Sequence, residues 1–184
     1  KIPRISYDEM LELASLGAKV LQIRSVEIAK RYQVPVHVRS SFDDSEGTWV
    51  GPEEKKVEEI LVSGGACERD QAKVTLEGVP DSPGLAASIF VPLSEAGIVI
   101  DMIVQNVGVE GRTDLTFTVP QGDLATTKNI CEKIVSGIGA RGVKASPNVG
   151  KVSVVGLGMR NHAGVAARMF EVLAHEGINI KMIS

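Results

Sequence analysis

The residues best suited to chemistry in this chain are Asp81-Ser82-Pro83-Gly84, which stand where an alternating apolar run gives way to a helical one. The first backbone N–H groups of a helix, here those of Gly84, Leu85 and Ala86, lack partners inside the helix and carry the positive end of its dipole. A carboxylate fits against them. Asp81 could receive an ammonium group, and the small residues Gly84 and Ala86 leave room for a ligand's backbone to approach. The chemistry described is reversible binding of a free amino acid. The same residues have a structural reading as well, in which Asp81 caps the helix and Pro83 fixes its entry angle.

A second copy of this loop exists. Residues 151–184 repeat residues 73–104 with two extra residues in the loop, pairing Gly78 with Gly156, Gly84 with Gly164, Phe90 with Phe170, Gly97 with Gly177 and Met102 with Met182. So long a repeat means a duplicated domain and not a solenoid of small units. The matching loop is Asn161-His162-Ala163-Gly164, followed by Val165. Its acid has become Asn161, so this pocket should differ in ligand, strength or use, and His162 reads as a surface loop residue. Gln105-Asn106 and Asn179 lie on the strands that end near these loops and could offer side-chain amides, with ordinary strand-end polarity as the other reading. His37 and His175 have no partners at ligand spacing, so no metal site is expected. No Ser-His-Asp or Cys-His arrangement and no GxxxxGK[ST] loop can be assembled.

The elements that would position these loops follow from the patterning. Each copy reads strand, glycine loop, helix, glycine stop, strand. In the first copy, Val74, Leu76 and Val79 mark a strand, a helix runs from the Pro83-Gly84 opening to Ala96, and Gly97 closes it. Pro92 removes one backbone bond there and should kink the last turn. An apolar strand at 98–105 and an alternating one at 113–119 form a hairpin. Asp123 is expected to cap a helix bearing Leu124, Ile130, Ile134 and Ile138, and a last strand begins at Val143. The order βαββαβ is the ferredoxin-like α+β arrangement, one sheet with two helices on one face. Its bare face and edges suggest pairing with another sheet. The second copy ends on its second strand, so the chain is expected to stop inside a fold.

Residues 1–50 differ in texture. Ser6-Tyr7-Asp8-Glu9 has the form of a capping box, opening a helix with Met10, Leu11, Leu13 and Ala14 on its apolar side and a stop near Gly17. A second helix is expected over 20–32 and a short strand over 34–38, with Pro35 favouring an edge. Residues 41–56, with Gly47, Gly51 and Pro52, read as a linker. Residues 53–60 could start a helix, but 60–65 reads better as a strand ending at a Gly64-Gly65 turn. The piece looks like the end of a larger α/β domain.

Composition removes several functions. The net charge of −3 comes from mixed acids and bases, and aromatics make up 4% of the chain. There is thus no basic stripe and no stacking platform for nucleic acid. No apolar run approaches the length of a membrane span. The start, Lys1-Ile2-Pro3, has no initiator Met and no secretory core, which suggests an internal cut. Cys67 and Cys131 lack CxxC spacing and read as two free thiols of a reducing cytoplasm.

The DxPG loop, the run LxxAGIxIDMIxQN over 93–106 and GMxxHxGVAAxxFxxL over 158–173 resemble tandem ACT domains, the amino-acid-sensing modules of biosynthetic enzymes. Upstream, Tyr7-Asp8-Glu9-Met10-Leu11-Glu12-Leu13-Ala14, Gly17-Ala18-Lys19-Val20-Leu21, Arg24-Ser25-Val26-Glu27 and the run from Val34 through His37 to Phe42 resemble the end of the catalytic domain of aspartate kinase. The resemblance covers essentially the whole chain and is nearest to the lysine- and threonine-responsive α2β2 class. It implies a kinase tail at 1–50, a linker and strand at 51–71 in which 60–64 joins the second module's sheet, a first ACT domain at 72–148 and a truncated second one at 149–184. It further implies that the parent enzyme uses ATP with Mg2+ to phosphorylate the side-chain carboxylate of aspartate, with Lys19 beside the nucleotide; a lysine on a solvated helix is the other reading of Lys19. A threonine-type effector site is implied at Asp81, Gly84, Ala86, Gln105, Asn179 and Ile180, and a lysine-type site near Asn161, His162, Gly164 and Val165. The fragment alone is expected not to catalyse, to be cytoplasmic, and to associate with itself or with full-length aspartate kinase through ACT–ACT contacts.

Two other functions remain open from the sequence. A stand-alone ACT sensor that controls a partner enzyme would need no kinase tail, and residues 1–50 speak against it. A homoserine dehydrogenase would need a nicotinamide fingerprint, and no GxGxxG follows a strand.

Overall fold

A computed structural model describes residues 2–53, 62–106, 110–156 and 164–183. The chain divides into two compact units, Lys1–Glu68 with Val152–Ile183, and Arg69–Lys151. The strands β4 (Gly64–Pro80) and β7 (Gly142–Val155) each run through both.

In the first unit, β1 (Arg4–Ser6) leads directly into α1 (Tyr7–Ser15). The capping box forms as expected: Glu9 N–H donates to Ser6 Oγ at 3.2 Å, and Ser6 N–H donates back to Glu9 Oε2 at 3.1 Å. Two orphan donors are thereby satisfied by side chains. After a turn, α2 (Ile23–Tyr32) begins three residues later than its apolar pattern suggested and ends at Gln33, a left-handed residue with φ 54. The strand β2 (Val36–Val38) lies at an edge, as Pro35 required.

The expected linker at 41–56 is corrected by β3 (Thr48–Gly51), the central strand of the sheet β1-β3-β2, parallel to β1 and antiparallel to β2. Four residues between Gly47 and Pro52 are too few for periodicity to register. The tight entry needs its glycine: Gly47 has φ 77, and a Cβ there would stand 2.2 Å from the Val38 carbonyl oxygen. Tyr7, Met10, Leu13, Val26, Ala29 and Val50 form this unit's core, joined by Ala66 of β4 and Val155 of β7.

The Gly64-Gly65 turn is not formed. Both glycines lie within β4, a strand of 17 residues that begins eight residues ahead of Ala72. In this unit Ser63 N–H donates to the Val155 carbonyl at 2.8 Å, so the approach to β4 runs beside the end of β7. Residues 54–61, on which most of the 53–60 helix and the first two residues of the 60–64 strand were expected, lie outside the described residues; Val62 and Ser63 belong to no strand, and β4 opens at Gly64.

The second unit has the ferredoxin-like α+β order. Its elements run β4, α3 (Leu85–Glu95), β5 (Ile103–Gln105), β6 (Arg112–Pro120), α4 (Leu124–Ile138) and β7, with strand order β5-β6-β4-β7. Alternation sends Val74, Leu76, Leu115, Phe117 and Val119 to the helix side. There they meet Leu85, Ile89 and Leu93, spaced at i, i+4, i+8 on α3, and Cys131 of α4. Phe90 packs edge-on to Phe117. On the other face Thr75 and Thr116 share a hydroxyl hydrogen bond of 2.9 Å. The β4–β6 register shifts by one residue between Leu76 and Val79. Gly78, φ 58, sits in that bulge, and its N–H donates to Asp114 Oδ1 at 2.8 Å.

Two further expectations are corrected. Asp123 does not cap α4 with its side chain; it ends a single 3-10 turn (Gln121–Asp123) that runs straight into the helix. The strand expected at 98–105 is assigned only as β5, although Asp101 N–H still donates to the Thr118 carbonyl at 3.2 Å. Pro92 lies inside α3, which runs to Glu95 with Ala96 as its C-cap, close to the expected end.

Cys131 is fully buried, and burial raises its thiol pKa to about 11, whereas Cys67 is exposed. A thiolate is the reactive form. A thiol reagent at neutral pH should therefore label Cys67 alone in the folded chain and both cysteines after denaturation, as read by mass spectrometry.

Candidate functional site

The Asp81 loop leaves β4 at Pro80 and enters α3 at Gly84 in four residues. Asp81 N–H donates to the Gly111 carbonyl at 2.8 Å, Ser82 N–H to the Pro80 carbonyl at 3.1 Å, and Leu85 N–H to the Ser82 carbonyl at 3.3 Å. Gly84 is the N-cap, in the left-handed region at φ 87 and ψ −11, and no side chain caps the helix. The capping role considered for Asp81 is therefore not the one this carboxylate has. It is exposed and makes no hydrogen bond or ion pair among the described residues. Leu85 N–H, expected to be open, is taken by Ser82; Gly84 and Ala86 remain exposed. A Cβ on Gly84 would meet nothing within 4 Å, so its glycine is needed for the positive φ and not for space.

Gln105 ends the edge strand β5 and is exposed. It belongs to the same end of the sheet as the Asp81 loop. Thr113, which pairs with Val79, donates from Oγ1 to the Asn106 carbonyl at 2.5 Å, and Gly111 holds Asp81. The structure thus gathers Asp81, Gly84, Ala86 and Gln105 at one end of the second unit.

Asn179 and Ile180 belong to the first unit, beyond α5 (Val165–His175). The strand expected there is not formed: residues 178–183 join no ladder among the described residues, and Asn179 and Ile180 are exposed. A strand exists only by pairing, and no counterpart of β6 lies beside this segment among the described residues.

The second helix start repeats the first at its glycine. Gly164 is the N-cap of α5 at φ 103 and ψ −10, again with no side-chain cap and open space around it. Val165 is the first helical residue and is half-buried. Asn161 and His162 lie outside the described residues. Both helices close alike: Ile98 N–H reaches the Leu93 carbonyl at 3.0 Å, and Ile178 N–H reaches the Leu173 carbonyl at 2.8 Å.

Lys19 sits in the turn between α1 and α2 and not on a helix, with its side chain exposed. The turn is held by Ala18 N–H to the Leu13 carbonyl at 2.9 Å and Val20 N–H to the Ala18 carbonyl at 2.6 Å. Among the described residues no group of His, Cys, Asp and Glu could hold a metal ion, and no helix is long and apolar enough to cross a membrane.

Several positioning residues had no signal in the sequence. Arg112 Nη1 donates to the carbonyls of Gly78 at 2.6 Å and Gly139 at 2.8 Å, tying the bulge to the end of α4. Ser63 Oγ donates to Glu9 Oε1 across 54 positions of sequence. The capping motif reveals only the local partner of Glu9.

Two helices that each open on a left-handed glycine in repeated sequence units mark a tandem ACT module, and models of the ACT domain match residues 74–135 and 152–184. The aspartokinase of Pseudomonas aeruginosa is 50% identical over 186 residues, covering 100% of this chain and 45% of that protein. A chain in the crystal structure of aspartokinase alpha and beta subunits is 49% identical with TM-score 0.60, over 67% of this chain and 80% of that one. Aspartokinase III of E. coli, solved with lysine and aspartate, is 28% identical with TM-score 0.73, over 100% of this chain and 40% of that one. The chain belongs to the aspartate kinase family and corresponds to its regulatory, ACT-bearing region. It spans a little under half the length of the curated relatives it matches.

Because Asp81 caps nothing, Asp81→Ala should change stability by less than about 0.5 kcal/mol, as at an ordinary surface site. Gly84→Ala forces an L-residue to positive φ and should cost roughly 1 kcal/mol or more. Urea unfolding of both variants checks the contrast; a large loss in Asp81→Ala would restore a structural role.

Proposed function

We propose that this chain is the feedback-sensing part of an aspartate kinase. The parent enzyme transfers the γ-phosphoryl group of ATP, held with Mg2+, to the side-chain carboxylate of aspartate, and free threonine or lysine binds the ACT loops to lower that activity. The observation that carries the reading is the uncapped N-terminus of α3 beside an unpaired carboxylate. Ala86 N–H lies open next to the left-handed Gly84, and Asp81 stands one short loop away. A carboxylate bound at the helix N-terminus and an ammonium group on Asp81 together select an α-amino acid. Gln105 joins this threonine-type site in our reading. Asn161, His162, Gly164 and Val165 form the second, lysine-type site, for which the bound lysine of the E. coli relative is the precedent.

Lys19 is assigned to the nucleotide, where a cation beside phosphate oxygens suits phosphoryl transfer. The chain by itself is not expected to catalyse. Its edge strands β5 and β7 offer pairing surfaces, and we assign them to ACT–ACT contacts with a second copy or with the full-length kinase, in the cytoplasm.

Calorimetric titration of threonine and of lysine into the chain tests the assignment. Saturable binding of at least one is expected. Asp81→Ala should weaken threonine binding about ten- to a hundred-fold, the worth of one charge-assisted hydrogen bond. Unchanged threonine affinity in Asp81→Ala would contradict the site, and no heat with either amino acid would contradict the sensing role.

A further inference from the structure

Ser63 and the head of β4 lie along α1 and approach the turn that carries Lys19. Ser63 Oγ donates to Glu9 Oε1, and Glu9 is a buried carboxylate whose other oxygen already caps α1. Gly64 packs against the same helix so closely that a Cβ there would stand 3.2 Å from Leu13 Cδ1 and 3.1 Å from Ile2 Cδ1. Ala66 is buried in the α1 core. Glu68 then lies over Gly17: a Cβ on Gly17 would be 3.5 Å from Glu68 Cδ and 3.7 Å from Oε1. Residues 64, 66 and 68 fall on one face of the strand. They descend α1 from its middle to the turn that follows it.

Gly17, at φ 95, gives that turn its shape. Its backbone bonds, Gly17 to Ala14, Ala18 to Leu13 and Val20 to Ala18, are short-range and leave Lys19 exposed. From outside these local bonds, the Glu68 side chain approaches the turn at Gly17.

We propose that residues 63–68 of the chain clamp α1 and its following turn, and that Glu68 is a positioning residue that sets the Gly17–Lys19 backbone for the nucleotide. The clamp stands on geometry alone, whereas the nucleotide as its beneficiary rests on the kinase reading above. The Glu68 carboxylate reaches no substrate in this account; it acts through the turn.

The test uses the full-length parent protein with Glu68→Ala, Glu68→Gln and Lys19→Ala. Hydrogen exchange reads the clamp without reference to activity. In Glu68→Ala the amides of Ala18 and Val20 should exchange roughly ten-fold faster, while those of α4 keep their rates. Glu68→Gln, which keeps the contact with Gly17, should behave as the wild type. Kinetics read the consequence: Glu68→Ala should raise KM for ATP about three- to ten-fold with kcat little changed, and Lys19→Ala should raise it as well. Unchanged exchange at residues 18 and 20, or faster exchange throughout the unit, would overturn the clamp. A KM that moves in Lys19→Ala but not in Glu68→Ala would overturn the positioning role and leave the kinase reading standing. If Lys19→Ala leaves KM for ATP unchanged, the nucleotide reading falls and the positioning role with it, while the exchange result still decides the clamp.

Discussion

The proposed sensing depends on one backbone conformation, the left-handed residue that starts each repeat helix. Gly84 at φ 87 and Gly164 at φ 103 turn the chain from strand or loop into helix without offering a side-chain oxygen to the first amides. A Ser, Thr, Asp or Asn cap would have stabilised each helix by about 0.5–2 kcal/mol and filled the place where a ligand carboxylate can go. The uncapped start is less stable, and it leaves donors open to an outside anion. α1 shows the alternative within the same chain, where Ser6 and Glu9 close the helix start completely and no ligand could displace them cheaply.

The strand β4 connects the two kinds of helix start. It begins beside α1, where Gly64 and Ala66 pack on Leu13 and its neighbours, and it ends one residue before Asp81. Between these ends it supplies Val74, Leu76 and Val79 to the core that α3 and α4 cover. A strand so placed must satisfy α1 at one end and the bulge at Gly78 near the other. Gly78 is held closely: a Cβ there would meet Arg141 Cδ at 2.7 Å.

Much of this was legible in the sequence. The repeat placed α3 and α5, their opening glycines and their closing glycines, because backbone positions that need positive φ leave glycine as a visible mark. The Ser6–Glu9 box announced α1, and the spacing of Ile89 and Leu93 announced the buried face of α3. What stayed hidden depends on partners far away in sequence. β3 is too short to show a period and exists because β1 and β2 flank it. The Gly64-Gly65 pair looks like a turn and is strand because α1 and the end of β7 lie against it. The 178–183 segment has strand composition without a partner to pair with. Of the candidate site, Asp81, Gly84, Ala86 and Gln105 could be read as neighbours from the βαβ order. That Asp81 caps nothing could not, since capping and ligand-binding aspartates look alike until the φ of Gly84 is known. The approach of Glu68 to Gly17 left no trace in either local pattern.

The central claim, that the open start of α3 beside Asp81 is where an amino acid binds, is tested most directly by following backbone amide resonances of the chain during addition of threonine. The signals of Gly84, Ala86 and Ala87 should shift together and saturably, with Asp81 and Gln105 following, while Leu76 and Phe117 in the core hold their positions. Saturable shifts elsewhere, with the amides of Gly84 and Ala86 unmoved, would contradict it.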